Sequence, residues 1–305
     1  MSQESNRNIL IVGSSNTDMV IKTDHFPAPG ETILGGKFLM NAGGKGANQA
    51  VAAARLGGRV TFVGKTGDDI FGRQAVMQLA NEGISVEYMV TDPENPSGVA
   101  LITVDDKGEN SIVVAPGSNG TLAEADFGKA MAALDEAEYV LMQLEIPIPT
   151  VEHVAALAFD RQKKVILNPA PAAKLSDELL KRLHIITPNE TEAELLTGIK
   201  VTDEPSALKA ATLLHDKGVE IIIITMGSAG AFILANGQHE VISTLKVQAV
   251  DTTAAGDTFN GALAVALSEG KTIRESIAFA NKAAAISVTR IGAQSSVPYR
   301  NEILN

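Results

Sequence analysis

Short runs that are apolar at every position recur along the chain and alternate with stretches whose apolar residues fall three and four apart. The runs lie at Ile9–Gly13, Val60–Gly64, Tyr139–Leu144, Val165–Asn168, His184–Thr187 and Ile221–Thr225. A strand that is apolar on consecutive residues is buried on both faces, the signature of a parallel strand under helices on either side. The intervening periodicity predicts helices. One spans Gly46–Leu56 and is stopped by Gly57-Gly58, and Thr121-x-x-Glu124 and Thr272-x-x-Glu275 read as capping boxes that open two more. Strand–helix alternation of this kind predicts an α/β fold, a doubly wound, mostly parallel sheet flanked by helices.

Two stretches break the rhythm. Asn16–Ala42 holds FPAPGET and paired glycines, and Ser97–Pro116 reads as a hairpin, VALITV and SIVVA around the polar turn DDKGEN. Together they predict a small β-sheet lid, residues 16–42 and 97–116, on a body made of residues 1–15, 43–96 and 117–305. Apolar alternation in VALITV leaves one face of that sheet uncovered in a monomer, so the lid is also expected to clasp a second copy in a homodimer. A further hairpin falls at 231–243.

Composition removes several classes of function. The 305 residues carry a net charge of −11 with no long basic run, which argues against a nucleic-acid partner. The absence of cysteine excludes disulfides and thiolate metal sites, and the five histidines show no metal-ligand spacing. ILIVG is too short to span a membrane, so a cytoplasmic location is expected. Gly64-Lys65-Thr66 ends like a phosphate-binding loop, but Arg59 stands where its first glycine belongs.

Five segments carry candidate chemistry. In DTTAAGDTFNGA (251–262), Ala254, Ala255 and Gly256 let a ligand approach the backbone where a helix begins, and a helix N-terminus offers free N–H groups to a phosphate. Asp257 in that first turn can cap the helix, yet capping leaves the small residues and the nearby Asp251 unexplained. Gly43, Gly44 and Gly46 bracket Lys45 ahead of a helix carrying Asn48, another close-approach geometry. TPNETE (187–192) opens a helix at a strand's end, where Asn189 and Glu192 share a face suited to the water shell of Mg²⁺. TMGSAG (225–230) is a glycine turn after the most apolar strand. Asn16 and Asp18 after the first strand, and Glu145 after YVLMQL, are polar groups at buried strand ends, where sugar hydroxyls could meet them.

These segments resemble, in order and over nearly the whole chain, the landmarks of the ribokinase family, also called the PfkB carbohydrate kinases. AGGKGANQAVAAARLG is similar to its N-terminal motif and DTTAAGDTFNGA to its C-terminal one, with MQLE, NPAPA, TPNETE and ITMGSAG between them. The resemblance implies ribose-binding positions at Asn16, Asp18, Gly44, Lys45, Gly46, Asn48 and Glu145. It implies nucleotide-binding positions at Asn189, Thr225, Gly227, Ser228, Gly230, Gly256 and Asn281. It further implies an anion hole over Ala254, Ala255 and Gly256, Asp257 as the catalytic base, and Glu192 tied to Mg²⁺. Asp251, Thr253, Ser287, Arg290, Gly292 and Ser296 match a monovalent-cation site, usually K⁺, bound mostly through backbone carbonyls. The expected activity is transfer of the γ-phosphate of ATP to O5 of ribose. The alternatives are another kinase of the family, for deoxyribose, a nucleoside, fructose or a keto-deoxy sugar, or a sensor without activity. Aromatic residues at 4%, without tryptophan, count against stacking a nucleobase.

Overall fold

Neighbouring residues of the first strand, β1 (Asn8–Val12), belong to different hydrophobic cores. Leu10 and Val12 pack on one side of the sheet, and Ile9 and Ile11 on the other. Side chains alternate across a strand, so an unbroken apolar run must be covered twice. The structure, a computed structural model, describes residues 8–34 and 36–304. The first seven residues of the expected body, Gly35 of the expected lid, and Asn305 lie outside the described residues.

Fourteen strands follow in chain order: β1, β2 (Asn16–Lys22), β3 (Lys37–Gly43), β4 (Arg59–Val63), β5 (Lys65–Gly67), β6 (Val90–Asp92), β7 (Gly98–Val104), β8 (Asn110–Ala115), β9 (Ala137–Met142), β10 (Lys164–Leu167), β11 (Ile185–Ile186), β12 (Ile221–Thr225), β13 (Ala231–Ala235) and β14 (Gln238–Ile242). Eight form the central sheet in the order β14-β13-β12-β11-β10-β9-β1-β4. Its pairs are parallel except those of β13, which runs antiparallel to β12 and β14. Helices Lys45–Arg55, Ala255–Ser268 and Ile273–Ser287 cover one face, and helices Ile148–Asp160 and Glu204–Asp216 the other. The six expected strands and the hairpin at 231–243 are all present.

Because β1, β9, β10, β11 and β12 are parallel, their carboxyl ends share one edge of the sheet. The segments that follow them, Gly13–Ser15, Glu145, Asn168, Thr187–Asn189 and Thr225, therefore meet there. The two stretches outside the α/β rhythm fold into a separate sheet in the order β3-β2-β7-β8. Its centre is a parallel pairing of β2 with β7, Asn16 opposite Gly98 through Lys22 opposite Val104. Asn16 and Asp18 point to one face, while Ile21, Phe38, Met40, Leu101 and Val113 stand exposed on the other.

One start signal reads differently in the structure. Thr121 does not cap a helix. Its hydroxyl donates to Asp92 at 2.6 Å, and the short helix Glu124–Phe127 begins after Ala123, whose N–H is capped by Asp126. A buried carboxylate outcompeted the local cap. The box at Thr272 and Glu275 forms as expected.

Candidate active site

The segment around Gly44 and Gly46 is built by close approach. Gly44 precedes helix Lys45–Arg55 at φ 88°, ψ 128°, a conformation that favours glycine. A Cβ on Gly46 would lie 2.6 Å from Ser14 N, so only glycine lets the helix touch the end of β1. This contact brings Lys45 N–H to within 2.9 Å of Glu145 Oε2, which also accepts from the Ser14 hydroxyl at 2.6 Å. Asn16 Oδ1 accepts from Asn119 Nδ2 at 2.8 Å, and Asn119 also clamps the backbone of Ser15 in both directions. The Asp18 carboxylate has no hydrogen-bond partner among the described residues, and neither has the buried Oδ1 of Asn48. Both are acceptors left open for a ligand.

Charge concentrates here. Burial raises the Asp18 pKa from its ordinary value to about 6, Glu145 and Asp257 add to the rise, and Lys45 opposes it. Burial also works against the charge on Lys45, but Asp257, Glu145, Glu192 and Asp18 outweigh it and hold its pKa above the ordinary value. Glu192 is likewise raised, by burial first, with the Asn189 N–H and Lys45 opposing. Four carboxylates therefore surround one ammonium.

Asp257, 6% exposed, is gripped at both oxygens: Oδ2 accepts from Asn48 Nδ2 at 2.9 Å and Oδ1 from Gln49 Nε2 at 3.0 Å. It lies in the first turn of helix Ala255–Ser268. Ala254 enters that helix at φ 58°, ψ 16°, left-handed backbone rare for alanine, and its carbonyl accepts from Thr258 N–H. The Ala255 N–H turns back to the Thr252 carbonyl at 3.2 Å, whereas those of Gly256 and Asp257 have no backbone acceptor among the described residues. A Cβ on Gly256 would meet nothing within 4 Å, and both Gly256 and Asp257 border open space. Such an end attracts an anion.

That space is a cavity of about 770 Å³, lined by Asn189, Thr225, Gly227, Ser228, Gly230 and Asn281 as well as by Lys45, Glu192 and Ala254 through Asp257. Every expected nucleotide position thus lines one cavity, and Asp257 lines it too. Some of these residues also hold the fold. Gly230, at φ 102°, closes a turn against the Ile242 carbonyl. Asn281 Nδ2 donates to that carbonyl at 2.8 Å, fixing the cavity wall. Asn189 and Glu192 cap each other reciprocally, at 2.8 and 2.9 Å. This leaves Glu192 facing the cavity with one carboxylate oxygen outside the box.

The expected cation positions gather in two adjacent loops. Asp251 Oδ1 accepts from Thr253 N–H at 2.9 Å, Oδ2 from Gly292 N–H at 2.8 Å, and Val250 N–H donates to the Val288 carbonyl at 2.7 Å. Burial, the largest single effect, works against the charge on Asp251, but the Thr253 hydroxyl, the Gly292 and Thr253 amides and Lys22 together outweigh it and keep the pKa below its ordinary value. The hydroxyls of Ser287 and Ser296 donate to nearby carbonyls, and Arg290 pairs with Glu302, so the side chains clamp the loops. No group of three or more His, Asp or Glu side chains suited to a metal occurs among the described residues.

Sequence reasoning missed Ser14, Gln49, Asn119, Gln143 and Asn168. Gln49 stood inside the quoted GGKGANQA motif, and Asn168 inside NPAPA. Their partners lie as far as 208 residues away in the chain, which no local pattern reveals.

The site combines a helix N-terminus with open amides, a cavity of about 770 Å³ and a buried carboxylate, Asp257, on the cavity wall. The family of pfkB carbohydrate kinases matches residues 6–300, and this chain belongs to it. The protein is accordingly a carbohydrate kinase. It is 49% identical over 298 residues to a ribokinase of Haemophilus influenzae, a match covering 98% of this chain and 97% of that one. It is 42% identical to a ribokinase of Bacillus subtilis, covering 97% and 98%. The solved structure of Arabidopsis thaliana ribokinase complexed with ribose and ATP superposes with a TM-score of 0.92, at 33% identity, covering 98% and 97%.

Proposed function

We propose that this chain transfers the γ-phosphate of ATP to O5 of D-ribose, giving D-ribose 5-phosphate and ADP. The observation that carries the reading is the position of Asp257. It closes the nucleotide chamber beside free backbone amides and stands within electrostatic reach of Asp18, Glu145 and Lys45 on the sugar side. Ribose lies between the lid and helix Lys45–Arg55, its hydroxyls met by Asn16, Asp18, Asn48 and Glu145. Asp257 takes the proton of the O5 hydroxyl as that oxygen attacks phosphorus in line. The bond to the bridging oxygen breaks and ADP leaves. The transition state is loose, so positioning and charge stabilisation dominate. The amides of Gly256 and Asp257 receive the developing charge.

Glu192 has a carboxylate oxygen on the chamber and fits Mg²⁺ held through water, a Lewis acid for the phosphates. The clamped loops at 250–253 and 288–296 offer carbonyl oxygens suited to K⁺, which would shape the anion hole next to Ala254 without joining the chemistry. The lid excludes water from the reacting phosphate. Residues 16–42 and 97–116 are then a functional unit set against the rest. A cytoplasmic location suits an enzyme fed by ATP.

The test is ADP release with and without sugar. Ribose is expected to outperform 2-deoxyribose in kcat/KM, because a hydroxyl-binding acceptor left unpaired costs about 1–3 kcal/mol. Potassium is expected to outperform sodium at saturating magnesium. Equal efficiency with the two sugars would move the assignment to another sugar of the family, and no turnover with any sugar would favour a sensor.

The exposed lid face of Ile21, Phe38, Met40, Leu101 and Val113 supports a homodimer joined lid to lid. Sedimentation at micromolar protein is expected to give a dimer, and a monomer there would contradict the clasp.

A further inference from the structure

Behind Asp257 runs a buried chain of carboxamides. Gln49, fully buried, uses both hydrogens of Nε2, one toward Asp257 Oδ1 and one toward Asn168 Oδ1, each at 3.0 Å. Its Oε1 accepts from Gln143 Nε2 at 2.6 Å. Asn168 donates to the Thr187 carbonyl, Thr187 Oγ1 to Asn260 Oδ1, and Asn260 Nδ2 to the Gly256 carbonyl. Gln49 therefore has one allowed amide orientation, since a flipped amide would set Oε1 against two oxygen acceptors. The next amide is fixed differently. Gln143 Oε1 has no hydrogen-bond partner among the described residues, and a Cβ on Gly13 would lie only 2.2 Å from it. Close packing against bare backbone holds Gln143, which holds Gln49.

Gln49 does not line the chamber, whereas Asp257 does. We infer that Gln49 is the positioning residue of the phosphoryl transfer: it pins Asp257 Oδ1, leaving Oδ2, on the Asn48 side, to take the sugar proton. The inference rests on Asp257 being the base. Asn48 is the exchangeable partner, because its unpartnered Oδ1 lets it turn toward a ligand. Gln49 cannot turn without stranding three buried groups. A carboxylate held at one oxygen in a dry site is preorganised, and donors of this kind act on the transition state more than on ground-state binding.

The experiment is a double-mutant cycle read in kcat, ribose KM, ATP affinity and thermal unfolding. Gln49→Met keeps the length and removes the donor. It is expected to lower kcat by about ten- to a hundredfold, with ribose KM and ATP affinity moving less than about threefold. In an Asp257→Asn background the same change is expected to alter the residual rate by less than about twofold, since the group it positions is gone. A packing role would cost the same factor in both backgrounds, and that result overturns the inference, as does a loss seen only in KM. Should Gln49→Met fail to fold, Gln143→Met carries the cycle. It leaves the donor to Asp257 in place and frees its orientation, for an expected three- to tenfold fall, again absent beside Asp257→Asn. If both variants unfold, the chain of amides serves the fold and the inference fails. If Asp257→Asn alone keeps more than a tenth of kcat, the assignment of the base fails instead.

Discussion

Replacing Asp257 by asparagine is expected to lower kcat by at least about a hundredfold while the protein stays folded and binds ATP nearly as before. The substitution removes the proton acceptor, and general-base contributions are of order 10²–10⁴ in rate. Folding survives for a reason visible in the site. An asparagine there sets an amide NH₂ against one of the two donors that now hold the carboxylate, Asn48 or Gln49. Asn48 can answer by turning over, because its Oδ1 is buried without a partner and is ready to accept. The change also removes one of four carboxylates crowded about Lys45. ATP affinity is expected to hold because the proposed anion hole uses the backbone amides of Gly256 and Asp257, which the substitution keeps. Thermal unfolding, ATP titration and steady-state kinetics check each part. Retention of more than a tenth of wild-type kcat would reduce Asp257 to a helix-entry carboxylate.

The second large effect is one of acidity. Asp18, buried and facing Glu145 and Asp257 with Lys45 opposing, titrates at about 6. Under the proposed function its ionised form would accept hydrogen bonds from sugar hydroxyls at both oxygens. Ribose KM is therefore expected to be flat above about pH 7 and to rise about tenfold for each pH unit below about 6. Asp18→Asn should raise KM throughout and remove this slope. The effect on folding has the opposite sign. The folded pKa exceeds the ordinary 3.8, so the folded chain holds a proton that the unfolded chain has released. Ionising Asp18 thus costs stability, a cost absent below about pH 4 and complete above about pH 6. Glu192, also raised, adds to it in the same direction. Between neutrality and pH 5 Asp18 makes the sugar-free protein harder to melt while its sugar affinity is expected to fall. A slope that persists in Asp18→Asn would assign it to another group.

Features set by neighbours in the chain were legible in the sequence. The buried strands announced themselves because both faces of β1, β9 and β12 are covered, leaving no polar position to interrupt the run. The glycines at 44 and 46 were legible because close approach of backbone excludes side chains there. What stayed hidden were contacts set by the sheet order. The parallel pairing of β2 with β7 joins two excursions about 80 residues apart, and nothing in either one names its partner. Gln49, Gln143 and Asn168 looked like ordinary polar residues until β1, β9 and β10 came side by side. Thr121 misled for the same reason, since the carboxylate that claims it, Asp92, is distant in sequence.

The lid sheet divides its labour along its length. β2 opens with Asn16 and Asp18, only a few residues beyond the end of β1, and reaches the exposed Ile21 by its far end. The polar residues that face the sugar side thus sit where the strand is rooted in the body. The exposed apolar residues lie on the opposite face of the same strands, Met40 and Leu101 both paired with Met19 beside Asp18, and the Asp105–Glu109 turn closes the far end. Sequence drift at that turn can accordingly change how stiffly the small sheet stands without touching Asn16 or Asp18. The root enjoys no such freedom. There, each substitution is felt at once by the ligand, the end of β1 and the helix that begins at Lys45.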